Sequence, residues 1–255
     1  LLVQSNYFFY FIRMKLIKLD AIDSTNSFIK ELALKGQIDN LTAVISKFQS
    51  KGRGRNNNIW LDKPSNNLNF SLFKEFKNFK IDDKFFLNII SSVSVFSLLK
   101  KYDLKNLSVK WPNDIMTGNK KISGILIENN IRGQFINHSI IGIGININQL
   151  DFKTLPKATS LKIETGVSYN PEKLAVELQK ILVSNFELFI QNPEKLLNDY
   201  NKLLFRKSKT INYKSKTIKI NEGDIVSVDQ YGKFLIRDVN GIVKKFKENE
   251  IKLNY

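Results

Sequence analysis

Apolar and polar positions alternate in short blocks in the N-terminal part of the chain. Residues 15–19 and 42–48 combine apolar and β-branched side chains, which predicts two strands. Between them, apolar residues recur at helical spacing over 28–33, just after the polar segment Asp23–Asn26. The side chains of this polar segment are good helix N-caps, so the pattern predicts a helix that begins there.

Longer apolar stretches occupy the middle of the chain. Residues 68–73 predict a strand, residues 85–99 a buried helix and residues 108–111 a short strand. Residues 121–128 and 135–147 predict paired strands. The nearly continuous apolar character of these two strands indicates burial on both of their faces.

The pattern changes again toward the C-terminus. One helix is predicted to start at Asn170–Glu172, with proline at its first position, and a second helix covers residues 193–204. Beyond residues 206–210 the apolar blocks are short and are separated by turn signals at Glu222–Gly223, Tyr231–Gly232 and Asn240–Gly241. They predict strands at 217–220, 225–229, 233–237 and 242–246. We therefore expect a small β-barrel appended to an α+β domain.

The amino-acid composition excludes several classes of active site. The chain of 255 residues has no cysteine and one histidine, His138, which we expect in or beside a strand. The missing cysteines exclude a disulfide framework, a cysteine zinc site and a thiol nucleophile, and a single histidine argues against a histidine metal site or a Ser-His-Asp triad. Lysine, arginine, aspartate, asparagine, serine and backbone amides remain, and these groups suit phosphate handling.

The net charge of +16 is compatible with nucleic acid, a membrane surface or an acidic protein as partner. The charge is spread along the chain, and its richness in Lys, Asn and Ile fits a compositional bias equally well. Residues 1–13 are apolar and precede Met14, the first methionine; they are too short to span a bilayer and lack signal-peptide features. We expect them to be a non-native extension, and the protein to be cytoplasmic.

The polar segment 49–64 predicts a long loop, and within it Gly52–Arg55 reads Gly-Arg-Gly-Arg. Glycines let the backbone approach an anion, and arginines supply forked donors to phosphate or carboxylate. A solvated basic loop or a nucleic-acid contact explains the four residues about as well.

Three further segments carry candidate chemistry. In Lys110–Asp114, an aspartate at the rim of a strand can hold Mg²⁺ or orient a basic residue, although a rigid turn explains the segment alone. In Lys120–Glu128, a lysine at the head of a strand can point into a cleft, or it can simply be solvated. In Gly142–Asn148, alternate glycines clear one face of a strand for a flat ligand or a packed neighbour.

Taken in this order, with Ser24–Asn26 upstream, these segments resemble the biotin–protein ligase family over most of residues 15–255. The resemblance implies a biotin site made of Ser24, Thr25, Asn26, Gln49, Gly52, Arg53, Gly54, Arg55, Lys121, Gly124 and Ile125. It implies an ATP and adenylate site made of Arg53, Arg55, Trp60, Lys110, Asn113, Asp114, Lys121 and Asn146. The catalytic candidates are Lys121, Arg55 and Asp114, and Asp114 is also a candidate ligand for Mg²⁺.

The same resemblance implies an α+β fold with a mixed or antiparallel sheet, of the class II aminoacyl-tRNA synthetase-like type, and a C-terminal SH3-like β-barrel. We expect catalytic residues 14–207 and barrel residues 208–255. The implied activity joins biotin to ATP and transfers it to a lysine of a biotin carboxyl carrier protein domain of acetyl-CoA carboxylase or a related carboxylase. Because Met14 leads almost at once into the catalytic segment, we expect no repressor domain and no specific DNA binding. We expect no membrane partner; a homodimer is compatible with the sequence.

The loop departs from the family pattern after Arg55. The family usually has a basic residue, a glycine and an arginine before tryptophan, whereas this chain has Asn56–Asn58 and Ile59 before Trp60. We expect weaker retention of the adenylate as a result. Two other functions stay open: a lipoate or octanoate transferase, which shares the catalytic fold, and a nucleic-acid-binding module.

Overall fold

The computed structural model describes residues 14–56, 58–64, 66–207, 209–215 and 221–254. The main sheet has seven strands: β1 (Leu16–Ile22), β2 (Ala43–Gln49), β3 (Asn67–Lys80), β4 (Leu107–Lys110), β5 (Asp114–Thr117), β6 (Lys120–Arg132) and β7 (Phe135–Asn146). The helices of the described residues are α1 (Thr25–Leu34), α2 (Phe85–Leu99), α3 (Leu161–Thr165), α4 (Pro171–Gln191) and α5 (Pro193–Lys202). The predicted α+β class is confirmed.

The strands follow the order β1-β2-β3-β7-β6-β5-β4. Only the β1–β2 pair among them is parallel, and α1 forms the crossover that a parallel pair requires. The other neighbours are antiparallel. The main sheet is therefore mixed, as predicted.

The two faces of the main sheet are covered unequally. Helices α2 and α4 pack together over one face, and the large core lies between them and the strands. On the other face, α1 covers a small apolar cluster of Ile29, Val44, Phe73 and Ile140. The cavity described below opens on this second face, beside α1.

Capping places two helices at the positions that the sequence predicts. The Ser24 hydroxyl accepts from the Ser27 amide at the start of α1. Asn170 caps α4 by accepting from the amides of Glu172 and Lys173, and proline takes the first helical position. Helix α2 spans the predicted residues 85–99, and most of its residues are buried.

The C-terminal strands form a five-stranded antiparallel sheet of β8 (Thr210–Ser215), β9 (Asn221–Val228), β10 (Phe234–Asp238), β11 (Val243–Phe246) and β12 (Ile251–Asn254). This C-terminal sheet packs against the segment between β4 and β5 of the main sheet. The Trp111 ring stacks on Phe234 with 4.9 Å between centroids, and the Trp111 indole N–H donates to the Gly232 carbonyl at 3.1 Å. One apolar core is continuous through both sheets.

Several sequence predictions need correction. β3 runs on to Lys80, and β5, β8 and β12 were not predicted. The predicted turn at Glu222–Gly223 is wrong: both residues lie inside β9, and a Cβ on Gly223 would lie 2.6 Å from the Arg237 carbonyl oxygen. Close approach of a neighbouring strand, and not a turn, is what requires glycine there. The predicted strand 217–220 and the predicted extension 1–13 lie outside the described residues.

Burial on both faces holds for β7 but not for β6. Residues 139–143 of β7 are all buried, so side chains on both faces of that strand are covered. In contrast, β6 becomes exposed toward Arg132. His138 lies in β7, 5.1 Å from the Phe73 ring, and partial burial lowers its pKa. No helix in the described part of the chain is long and apolar enough to cross a membrane.

Candidate active site

A cavity opens on the α1 face of the main sheet, where the start of α1, the end of β2 and the middle of β6 and β7 meet. It is lined by Ser24, Thr25, Asn26, Gln49, Arg53, Gly54, Arg55, Trp60, Phe70, Asn113, Lys121, Gly124, Ile125, Leu126, Gly142, Ile143 and Gly144. Strand register creates a side-chain-free patch in it. Gly124 pairs directly with Gly144, and Gly142 is two residues further along the same face of β7.

Thr25, Asn26, Ser71 and Gly142 form the buried base of the cavity, which we call the floor. The Ser71 hydroxyl lies 2.7 Å from the Thr25 hydroxyl and 2.6 Å from the Asn26 amide oxygen. Asn26 donates through Nδ2 to Glu128 at 2.7 Å. A Cβ on Gly142 would collide with the Asn26 amide, so glycine is needed for the approach of α1 to β7.

Gln49 connects the floor to the mouth of the long loop. Its Oε1 accepts from both the Thr25 backbone N–H, at 2.8 Å, and the Thr25 hydroxyl, at 3.1 Å. Its Nε2 donates to Asn69 Oδ1 at 3.1 Å. Gln49 therefore has a fixed amide orientation, which gives the cavity wall a defined pattern of donors and acceptors.

Residues 50–61 are called the flap, and its described residues, 50–56 and 58–61, fold back on themselves beside the floor. Arg53 bridges Ile59 in antiparallel fashion, and the Trp60 amide donates to the Gly52 carbonyl at 2.9 Å. A Cβ on Gly52 would lie 2.6 Å from the Trp60 carbonyl oxygen, so this close return of the chain needs glycine. The predicted long loop is thus confirmed, with Asn57 outside the described residues.

Trp60 lies on the glycine patch. A Cβ on Gly144 would lie 2.5 Å from the indole ring, and one on Gly124 would lie 3.5 Å from it. The Lys121 ammonium is 5.9 Å from the ring centroid. The Trp60 Nε1 atom is buried and has no hydrogen-bond partner among the described residues. The Trp60 ring therefore covers the patch and forms one wall of the cavity.

The two flap arginines are held by carboxylates from different elements. Arg53 donates to Glu128 at 3.1 Å and to the Ser27 hydroxyl at 3.3 Å. Arg55 is paired with Glu248, which lies just before β12 in the C-terminal part of the chain. Its Nη1 atom is nevertheless buried without a partner among the described residues, and Arg55 is one of the residues that line the cavity.

Lys121 enters the cavity from the start of β6. Its ammonium pairs with Asp114 at 2.7 Å, and the β5–β6 register places Asp114 opposite Gly124. The backbone of Lys121 is held as well, since its amide donates to the Lys157 carbonyl and its carbonyl accepts from the Thr159 amide. Both interactions fix the lysine beside the flap.

Of the predicted site residues, most line this one cavity and four do not. Gly52 shapes the flap, and Asp114 acts through Lys121. Lys110 lines an adjoining cleft beside Trp111, Lys157 and Glu248. Asn146 is buried and donates to the Thr159 carbonyl at 2.9 Å, so it holds the segment that supports Lys121.

Sequence reasoning missed the polar residues of β3. Asn67, Asn69 and Ser71 all lie within the main sheet and are buried, and Asn69 and Ser71 support Gln49 and the floor. Their alternation with apolar residues was a usable signal, because three polar side chains on one face of a buried strand need partners. Asp62 and Glu128 were also missed, and nothing in the local sequence indicates their contacts.

A model of the Biotin/lipoate A/B protein ligase family matches residues 19–146. The chain belongs to this family. The matched segment contains the floor, the flap and Lys121, so the cavity lies in the part of the chain that the family shares.

Several biotin/lipoate ligase family members are similar to this chain. The bifunctional ligase/repressor BirA of Bacillus subtilis is 33% identical over 155 residues, 59% of this chain and 47% of that protein. The biotin--[acetyl-CoA-carboxylase] ligase of Paracoccus denitrificans is 28% identical over 164 residues, 59% of this chain and 64% of that protein. The chain spans about half the length of the BirA proteins that it matches.

A solved structure extends the likeness over the whole fold. The biotin protein ligase from Aquifex aeolicus, in complex with biotin and ATP, superposes with a TM-score of 0.77 and 26% identity. The match covers 94% of this chain and 98% of that one. It therefore includes the C-terminal sheet, which lies beyond the family model.

Proposed function

We propose that this protein is a biotin–protein ligase. It activates the biotin carboxylate with ATP to biotinyl-5′-AMP and then transfers biotin to a lysine of a biotin carboxyl carrier protein domain. The observation that carries the proposal is the convergence of the floor, the glycine patch, two flap arginines and Lys121 on one cavity. The likeness to biotin ligases in sequence and fold supports the same choice.

The floor suits the ring end of biotin. A cyclic urea offers one carbonyl acceptor and two N–H donors. Thr25 and Asn26 of the floor, with the adjoining Ser24 and Gln49, line this end of the cavity with hydroxyl and amide groups that can donate and accept. The glycines let the Trp60 ring and the Asn26 amide lie close against β6 and β7, so these two side chains form the walls beside the fused rings. Apolar Phe70 and Leu126 add contact area for the thioether and the side chain.

The cationic groups suit the first reaction step. A carboxylate oxygen of biotin attacks the α-phosphorus of ATP, the bond to the β-phosphate oxygen breaks, and pyrophosphate leaves. Negative charge from three groups is brought together, so stabilisation requires cations at fixed positions. Lys121, Arg53 and Arg55 supply these cations. Because Arg55 Nη1 has no partner among the described residues, it can donate to a phosphate without losing an existing hydrogen bond.

In the second step, the amine of the carrier lysine attacks the anhydride carbonyl and AMP leaves. The amine must lose a proton, and Asp114 or the local cations assist that loss. Closure of the flap excludes water from the anhydride. The positive net charge favours association with an acidic carrier domain, which makes the transfer salt-sensitive.

Magnesium belongs to this proposal as a companion of ATP. The described residues contain no group of three or more His, Cys, Asp or Glu that could hold a metal ion. A single carboxylate, that of Asp114, is the candidate protein ligand. One carboxylate fits a Mg²⁺ ion that takes most of its ligands from phosphate oxygens and water. The ion would neutralise phosphate charge.

We assign residues 14–207 to a catalytic unit of the class II synthetase-like type and residues 208–255 to an SH3-like barrel. The antiparallel order of the described C-terminal strands supports the second assignment. The C-terminal part also contributes to the site, because Glu248 forms an ion pair with Arg55 and so anchors the flap.

The test is ATP- and Mg²⁺-dependent labelling of a carrier domain, with biotin and lipoate offered separately. We expect biotinylation by the wild type and a loss of roughly 100-fold or more in Lys121→Ala, since a charged group in contact with the reacting phosphate is removed. Lys120→Ala, a neighbouring exposed lysine, is the matched control and should retain activity. Labelling with lipoate alone would establish a lipoate ligase instead, and no labelling with either acid would refute the proposal.

A further inference from the structure

Asp62, at the C-terminal end of the flap, lies outside every segment that the sequence marks as functional. Its Oδ2 accepts from the Gln49 backbone N–H at 3.0 Å and from Asn69 Nδ2 at 2.6 Å. Its Oδ1 accepts from Asn67 Nδ2 at 3.1 Å. One carboxylate thus joins residues 49 and 62, which flank the flap, to the buried strand β3.

These contacts fix which atom of each side-chain amide, the oxygen or the nitrogen, faces the neighbouring residue. An ionised carboxylate only accepts hydrogen bonds, so Asn69 must turn its Nδ2 toward Asp62 and its Oδ1 toward Gln49. Asn69 Oδ1 also only accepts, so Gln49 must present Nε2 to it. Gln49 Oε1 is then left facing Thr25, where it accepts from the backbone N–H and the hydroxyl.

We propose that Asp62 is a positioning residue: together with the Thr25 backbone N–H it holds Gln49 in one amide orientation, and so fixes the donor pattern of the biotin end of the cavity. It also joins the two residues that flank the flap. This rests on the proposed biotin site. Asp62 does not line the cavity and does not touch the reacting groups; it acts through Asn69 and Gln49. The buried Asn69 amide also donates to the Ser46 carbonyl at 3.3 Å, which holds the relay in the sheet.

The decisive variant is Asp62→Asn, which keeps the size of the side chain and removes the acceptor-only carboxylate. An amide at this position has one acceptor oxygen instead of two, and its Nδ2 cannot accept a hydrogen bond. At least one of the three donors that converge on Asp62 therefore loses its partner. The Gln49 side chain is then held less firmly, because only the contact with Thr25 still fixes its orientation. We expect the Kd and KM for biotin to rise about tenfold, because a buried polar partner is mismatched. The kcat at saturating biotin should stay within about twofold, because Lys121, Arg53 and Arg55 are unchanged.

Two further variants separate positioning from charge and from folding. Asp62→Glu keeps an acceptor-only group on a partly exposed side chain and should restore biotin affinity to within about threefold. Asp20→Asn removes one charge from an exposed carboxylate that pairs with Lys47, and should bind biotin as the wild type does. Thermal unfolding is recorded for all variants, and Asp62→Asn should retain a native melting transition.

The outcomes are distinct. If the wild type binds no biotin in calorimetry or equilibrium dialysis, both the proposed function and this inference fail. If the wild type binds biotin and Asp62→Asn binds it equally well, only the role of Asp62 is refuted. Loss of the melting transition in Asp62→Asn, or an equal fall in kcat and biotin affinity, would assign Asp62 a general structural role instead.

Discussion

The floor of the cavity and the flap above it differ in how their buried polar groups are partnered. In the floor, the side chains of Thr25, Asn26 and Ser71 bond to one another and to Gln49 and Glu128. In the flap, Arg55 Nη1 and Trp60 Nε1 are buried without a partner among the described residues. Buried donors are normally paired, so the flap atoms are the ones that call for a ligand.

This difference indicates that the floor and the flap have separate roles in the proposed site. The floor has its hydrogen-bond pattern set by the protein and can select a neutral ring by shape and by donor position. The flap carries charge and unpaired donors, which match an anion such as an acyl phosphate. Changes in the floor should therefore affect biotin affinity, and changes in the flap should affect the phosphate chemistry.

The largest effect that would sharpen this comparison is expected from Arg55→Ala. Removing a charged donor to the phosphate should lower kcat/KM for adenylate formation by about 100-fold, with biotin affinity altered much less. Arg55→Lys should recover only part of the rate, because a lysine keeps the charge but not the forked donors.

Pyrophosphate release, followed at fixed biotin and varied ATP, measures the effect of these Arg55 variants. Arg237→Ala, an exposed arginine on β10, is the control and should behave as the wild type. A normal adenylation rate in Arg55→Ala would contradict the proposal that the flap binds the phosphate.

A second pair of variants compares the two regions within one strand. Gly142→Ala drives a methyl group into the Asn26 amide and should weaken biotin binding about tenfold, because the contacts of Asn26 with Ser71 and Glu128 are disturbed. Gly144→Ala, two residues along, meets only the Trp60 ring and should mainly hasten loss of the adenylate.

Equilibrium dialysis with biotin and a release assay with preformed biotinyl-adenylate distinguish these two glycine variants. Equal losses of biotin affinity in both would mean that the floor and the flap do not act separately.

The smallest expected effect concerns the departure of the flap from the family pattern. Asn57→Gly/Asn58→Arg adds a glycine and a cation, and should slow release of biotinyl-adenylate by a few fold, within the range of one added charged contact. Asn57 lies outside the described residues, whereas the Asn58 carbonyl accepts from the Gly54 amide at 2.7 Å. An unchanged release rate would contradict the expected weaker retention.

The sequence predicts the elements of this fold well where the signal is local. Residues 85–99 form α2 as predicted, since a long apolar segment between polar ends reads as a helix without knowledge of its partners. The short strand β5 was missed because Pro112, Asn113 and Asp114 read as a turn. Gly223 misled the prediction because a turn and a close strand contact select the same residue.

The candidate site could be predicted as a set of segments but not as a network. The Gly-Arg loop, Lys121 and the paired glycines carry signals in their own sequence. The contacts that organise them join residues far apart in the chain: Asn26 and Glu128 are separated by 102 positions, and Arg55 and Glu248 by 193. Only folding brings such pairs together, so Asp62 and Glu128 had no signal to read.

The most direct measurement is equilibrium dialysis of labelled biotin against the wild-type protein, with and without ATP and Mg²⁺. The account predicts saturable binding of one biotin per chain, and a much slower exchange of the label once ATP is present, because the flap then holds an acyl phosphate. Absence of retained biotin under both conditions would contradict it.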